Sequence, residues 1–175
     1  PDPAGALDKL EQQLKDELAA APVKERAAVQ KQLDELAERR KTMLPLLLKL
    51  RDMAGDGRML NLPLVDRPIP LIADEWAKPE LGSGCVKITP AHDASDYEVG
   101  QRHRLPMVNV MTSDGRVARI VEPDGSVNPN SSKYEGQKFA TDARKKVLAD
   151  LEALGLIEKI EDRMIEIGHS DRSKT

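Results

Sequence analysis

The stretch Gly82-Ser83-Gly84-Cys85-Val86-Lys87-Ile88-Thr89-Pro90-Ala91-His92-Asp93-Ala94-Ser95-Asp96-Tyr97-Glu98-Val99-Gly100 governs the reading of the whole chain. A Gly-x-Gly turn feeds a β-branched run, a proline stops that run, and acidic residues open a helix expected over 93–104. The Gly-x-Gly alone asks only for a turn where the backbone passes close to another element. It is neither a dinucleotide-binding nor a Walker fingerprint, because the later glycines and the Gly-Lys-Ser/Thr are missing. Asp93 and Asp96 stand three apart at the helix start. The simpler reading is an N-cap followed by a second acid favoured by the helix dipole. The sharper reading is a carboxylate that faces a cleft and holds a cationic ligand group. His92 is open to three roles: general base, metal ligand or turn residue. Histidines only at 92, 103 and 169 and a single cysteine, Cys85, argue against a zinc site. Lys87 is the oddest residue, a lysine inside a short apolar run. Since lysine is rarely buried unpaired, it either snorkels to solvent or points into a polar pocket, where an anion such as a phosphate would suit it.

Outward from this stretch, the 175 residues suffice for one ordinary domain and an appendage. Aromatics make up 2% of the chain, so aliphatic side chains must build the core. A net charge of −3 shows no broad footprint for nucleic acid, and any contact with RNA needs a local patch. One cysteine excludes an internal disulfide framework and fits a reducing, cytoplasmic setting. No apolar run is long enough for a membrane helix, and no secretory signal is present. Both ends read as cuts inside a longer protein.

Residues 1–54 differ in texture from the rest. Leu7, Leu10, Leu14 and Leu18 recur at helical spacing, Ala20-Ala21-Pro22 breaks the pattern, and Pro22 suits the first turn of a second helix. That helix carries Val29, Leu33, Leu36, Met43, Leu47 and Leu50 along a heptad-like, coiled-coil seam. Arg40 occupies a seam position meant for an apolar residue, and Pro45 should kink or interrupt the helix. The two helices form an antiparallel hairpin whose seam packs its own arms together. Its charged outer face is most simply a solvated face.

From residue 55 onward, short β-like runs are expected at 59–65, 69–73, 85–89, 107–111, 117–121, 157–160 and 164–167. Ser113-Asp114-Gly115-Arg116 makes a hairpin turn, and 122–132, rich in Pro, Gly, Asn and Ser, reads as an exposed loop. A further helix is expected over 141–154, with Asp142 in its first turn, one face formed by Val147, Leu148, Leu151 and Leu154, and Gly155 in the stop position. The fold class is α+β: a partly closed, barrel-like sheet with peripheral helices, preceded by the helical hairpin.

Gly82-Ser83-Gly84, Lys87-Ile88-Thr89-Pro90-Ala91-His92-Asp93 and Asp96-Tyr97-Glu98-Val99-Gly100 together closely resemble the hallmark of the valyl-tRNA synthetase editing domain. The flanks agree in Arg67-Pro68-Ile69-Pro70-Leu71-Ile72-Ala73-Asp74-Glu75 and in His103-x-Leu105-Pro106. Tyr134-x-Gly136, Ala143-Arg144, Asp150-Leu151-Glu152, Gly155-Leu156 and Gly168-His169-Ser170-x-Arg172 follow in the family's order. Leucyl enzymes share Pro-Ala-His-Asp and a second aspartate but usually carry Arg where Ser95 stands, and isoleucyl enzymes typically lack the His-Asp pair. The resemblance covers roughly 59–175. Two departures stand out. The family's Thr-Thr-Arg-Pro-Glu-Thr pocket segment is absent, which marks the domain (55–175) as truncated on its N-terminal side, and Leu81 replaces the usual phenylalanine. The hairpin stands where the family has a short connection and reads as an insertion.

The resemblance implies hydrolysis of threonine mischarged on tRNA(Val), within a parent enzyme that ligates valine to tRNA(Val). Asp96, Asp93 and His92 are then the expected catalytic residues; Lys87, Asp96, Leu81 and Thr89 are expected to bind substrate. In that reading Asp96 grips the α-ammonium group and Lys87 meets the ribose or phosphate of the terminal nucleotide. Editing needs no cofactor, while ATP and Mg belong to the parent's aminoacylation site outside these residues. The expected partners are the tRNA(Val) 3′ end carrying threonine and the rest of the synthetase, with no membrane. The competing class is a non-catalytic module that binds tRNA or a partner, and the isolated chain is expected to be inactive.

Overall fold

The computed structural model describes residues 1–162 and Met164. Apart from Met164, the run expected at 164–167 and the 168–172 motif therefore lie outside the described residues. The chain opens with three helices, α1 (Pro3–Ala20), α2 (Val23–Thr42) and α3 (Leu44–Gly55). Asp2 caps α1 by accepting from the Ala4 amide at 3.2 Å. Leu7 and Leu14 of α1 and Val29 and Leu36 of α2 form one buried cluster, flanked by Leu10, Leu18, Leu33 and Leu44. The helical-spacing leucines thus close the hairpin on itself, each fully buried one contributing about 1.5–3 kcal/mol. Arg40 in the seam is resolved by pairing rather than burial: it reaches back to α1, 2.5 Å from Asp8 and 3.5 Å from Glu11.

The second arm is two helices, as Pro45 foreshadowed. Met43 separates them, and Pro45 sits in the first turn of α3, where its missing N–H costs nothing. Beyond the hairpin, β1 (Met59–Leu62) and β2 (Arg67–Pro70) pair antiparallel, with Met59 opposite Pro70 and Leu62 opposite Arg67. The Leu71 amide donates to Arg58 O at 3.1 Å. Residues 67, 69 and 71 therefore face β1, and positions 68 and 70 would have to donate to any further strand. Both are proline, so that edge has no donors to offer.

Several expected strands are not ladders. The runs at 107–111 and 117–121 meet through the Met111–Val117 bridge around the 113–116 turn, and Val121 bridges Val127. The runs at 85–89 and 157–160 form no strand. Among the described residues the continuous ladder is two-stranded, and closure into a barrel is not formed. The 122–132 segment is likewise more than an exposed loop. Asn128 and Ser131 are buried. Asn128 Nδ2 donates to Val65 O at 3.0 Å, and Arg67 Nε donates to Glu122 at 2.7 Å. Polar bonds of this kind tie the loop down without any apolar pattern to announce them.

A second cluster of Val117, Tyr134 and Ala143, packed with Leu64 and Val147, underlies this half. The expected 141–154 helix begins as a π-turn over Phe139–Ala143 and continues as α4 (Arg144–Ala153). It ends at Gly155 (φ 66°) with Leu156 N–H on Leu151 O and Gly155 N–H on Glu152 O, the paired bonds of a Schellman stop.

Candidate functional site

The helix expected over 93–104 is present as Ala94–His103, and we call it αS because it carries the site. Asp93 has extended backbone and accepts from the Asp96 amide at 3.0 Å, capping the helix. Gly100 lies buried beneath Pro90, where an added Cβ would stand 2.7 Å from the proline ring. That close approach seats the helix on the Thr89-Pro90 turn.

Seating the helix brings Lys87, Thr89 and Asp96 together. Asp96 is 7% exposed, and its Oδ2 accepts from the Thr89 amide at 2.8 Å and from Thr89 Oγ1 at 3.1 Å. Lys87 Nζ donates to Thr89 Oγ1 at 2.9 Å and lies 3.9 Å from Asp96 Oδ2. The lysine side chain is 71% exposed, so its ammonium snorkels past the run to solvent above the carboxylate. Among the described residues every bond to Asp96 falls on Oδ2, and no buried side-chain N or O lacks a partner. Oδ1 therefore reaches solvent and has lone pairs to offer a cation.

His92 is exposed at the same turn, and its Nε2 accepts from the Val110 amide at 3.0 Å. That bond occupies the Nε2 lone pair and leaves the ring proton on Nδ1. Leu81 joins through its backbone: its carbonyl accepts from Gly84 N–H at 2.8 Å while the residue is 64% exposed. Gly82 (φ 46°) and Gly84 (φ 74°) both need the left-handed region. A Cβ on Gly84 would stand 2.7 Å from Leu47 of α3, so the turn does pass close to another element.

Two residues of consequence, Arg39 and Asp74, were given no role by the sequence reading. Arg39 of α2 donates to the carbonyls of Pro79, Leu81 and Gly82 at 2.5, 3.1 and 2.8 Å. Asp74 gathers Arg102 (2.9 and 3.2 Å), His103 Nε2 (2.7 Å) and the Trp76 amide (2.8 Å). The Arg102 hydrogen bond foremost, with the Trp76 amide and His103, holds the Asp74 carboxyl well below the usual carboxylate range, against the opposing effect of burial. Sequence separations of 28 to 43 residues give no local signal for either cluster. A depressed carboxylate contributes stability that is present above its unfolded pKa and lost as pH falls. Asp74→Asn should therefore cost about 1–2 kcal/mol at pH 7, and the deficit should shrink below about pH 4. Chemical denaturation at pH 7 and at about pH 2, well inside the window where the carboxylate protonates, checks this; a deficit equal at both would remove the charge from the account.

A cavity of about 680 Å³ lies between α1, α3 and residues 71–86, lined by Leu10, Leu47, Leu50, Ile72, Val86 and Val99 among others. Lys87, Thr89 and Asp96 do not line it, so it and the polar cluster are separate features. Among the described residues no three His, Cys, Asp or Glu side chains are grouped to hold a metal ion, and no helix is long and apolar enough to cross a membrane.

At this helix start Asp96 and Lys87 thus present a buried, amide-anchored carboxylate and an exposed ammonium side by side. The family model described as "Leucyl-tRNA synthetase, editing domain" matches residues 10–152, and the chain belongs to that editing-domain family of aminoacyl-tRNA synthetases. Its relatives are valine–tRNA ligases. That of Rhodopirellula baltica is 55% identical over all 175 residues, 16% of the relative's length. Those of Francisella tularensis and Dechloromonas aromatica are 50% and 49% identical over 119 residues, or 67% of this chain and 12% and 11% of theirs. The chain thus spans less than a fifth of the relatives it matches.

Proposed function

We propose that the chain is the post-transfer editing part of a valine–tRNA ligase, hydrolysing threonine mischarged on tRNA(Val). The observation that carries this reading is the Asp96 carboxylate, fixed through Oδ2 and open to solvent at Oδ1 beneath an exposed lysine. Valine and threonine are nearly isosteric, and a hydrophobic pocket cannot strongly reject an added hydroxyl, a problem for which valyl-tRNA synthetases are themselves the standing example. A second site must accept threonine through its hydroxyl and leave polar groups unpaired against valine. Asp96 Oδ1 takes the α-ammonium group and orients the ester. Lys87 meets the terminal ribose or phosphate, and Thr89 holds the two in register. Asp93 supports Asp96 through the helix cap, while His92, its Nδ1–H free of the Val110 bond, shapes the pocket or positions water. Leu81 supplies apolar wall. Holding a water against an activated ester suffices without a covalent nucleophile.

The hairpin we read as an insertion into that domain. The 3′ end of tRNA(Val) and the remaining synthetase are the partners in the same reading. ATP and Mg serve the ligation site outside these residues, and the work is cytoplasmic. In the full-length enzyme, Lys87→Ala should lower kcat/KM for threonyl-tRNA(Val) deacylation by about tenfold, the worth of one charge-assisted contact. Valine attachment should be unaffected. An unaltered deacylation rate removes Lys87 from the site, and a wild-type enzyme without deacylation overturns the editing reading in favour of a binding module.

A further inference from the structure

Residues 86–88 make no backbone hydrogen bond among the described residues, although Lys87 is one of them. Nothing in a sheet fixes this run, so its course depends on how its two ends are held. The C-terminal end is pinned where the Thr89 amide and hydroxyl bond Asp96. The N-terminal end is the 82–84 turn, which two contacts from the helical hairpin hold in addition to its own bonds. Arg39, half-buried in the last turn of α2, donates to Pro79 O, Leu81 O and Gly82 O. Leu47 of α3 closes on Gly84, leaving no room for a Cβ.

Three carbonyls of one tight turn converge here because Leu81 N–H folds back on Lys78 O and Gly84 N–H on Leu81 O. Converging carbonyl dipoles repel one another. A guanidinium offsets that with a planar fork of five donors, a geometry that an ammonium cannot reproduce. Arg39 and Leu47 lie on either side of the Met43 break, which lets two helices rather than one address the same turn.

We propose that Arg39 is a positioning residue for the editing site: its clamp on residues 79–82 sets the 82–84 turn and thereby places Leu81 and Lys87 against the substrate. The hairpin is then a brace for the site rather than a passive appendage. This rests on the editing reading above, and two measurements separate the two ideas. The first uses the full-length enzyme and threonyl-tRNA(Val). Arg39→Ala should raise KM for deacylation about tenfold, because an ångström of misplacement is costly in a contact surface, with kcat kept within about twofold since Asp96 has its own anchors. Arg39→Lys should recover only part of the loss. The second reads the turn directly. Cys85 is exposed, so a trifluoromethyl label on it, its resonance assigned by its loss in Cys85→Ser, reports the 82–84 turn. Arg39→Ala should shift and narrow that resonance while the melting temperature stays within about 3 °C. An unchanged resonance overturns the brace, as does an unchanged KM in an enzyme whose Asp96→Ala variant has lost deacylation. A changed resonance in an enzyme whose deacylation ignores Asp96→Ala keeps the brace and removes the editing reading.

Discussion

Asp96→Ala should lower deacylation of threonyl-tRNA(Val) by the full-length enzyme at least about a hundredfold, the cost of losing a pre-organised charge from a low-dielectric site. Mischarged threonyl-tRNA should then accumulate during aminoacylation. The carboxylate has two duties that the substitution removes together. Oδ1 is the acceptor proposed for the α-ammonium group, and Oδ2 holds the Thr89 amide and hydroxyl. Asp96→Asn separates them, because an amide oxygen still accepts from Thr89 while the charge is gone. The asparagine variant should fold with the stability of the parent to within about 1 kcal/mol and still fail in deacylation. Deacylation that survives in both variants would sink the assignment of Asp96.

The second large effect concerns stability. Leu7 is fully buried between α1 and α2, in the cluster with Leu14, Val29 and Leu36. Leu7→Ala removes three buried carbons and leaves a cavity that two packed helices cannot readily close, so it should cost about 3 kcal/mol. For a chain of this size that corresponds to a melting temperature lower by roughly 6–12 °C. Val23 on the same hairpin is 84% exposed, and Val23→Ala should change the midpoint by no more than about 2 °C. Thermal unfolding followed by circular dichroism measures both. Equal, small shifts would mean that the hairpin does not hold together through its leucine seam.

Helices were the legible part of this chain because their signals are local. Leu7, Leu14, Val29 and Leu36 carry the 3.6-residue period, Pro45 marks the break, Asp93 caps αS and Gly155 stops α4. Each involves partners within a few residues of one another. Strands were less legible, since an apolar run such as 85–89 states a tendency to extend without naming a partner. Whether it joins a ladder depends on what lies beside it. The outer edge of β2 carries Pro68 and Pro70, which removes the backbone donors from that side of the ladder.

The candidate site divides along the same line. The 82–100 motif contains Lys87, Thr89, His92, Asp93 and Asp96, all within a span that local geometry can assemble: a run, a proline turn and a helix start. Its residues alone indicated the helix cap, the close approach at the glycines and the family. Tertiary structure decided which aspartate is buried, which oxygen is left open, and that His92 Nε2 is taken by Val110. It also supplied the two groups with no local signature, Asp74 with Arg102 and His103, and Arg39 on the carbonyls of 79–82. Short-range hydrogen bonds and periodic burial are written in neighbouring residues. A guanidinium that meets carbonyls some forty positions away is written only in how the helices pack.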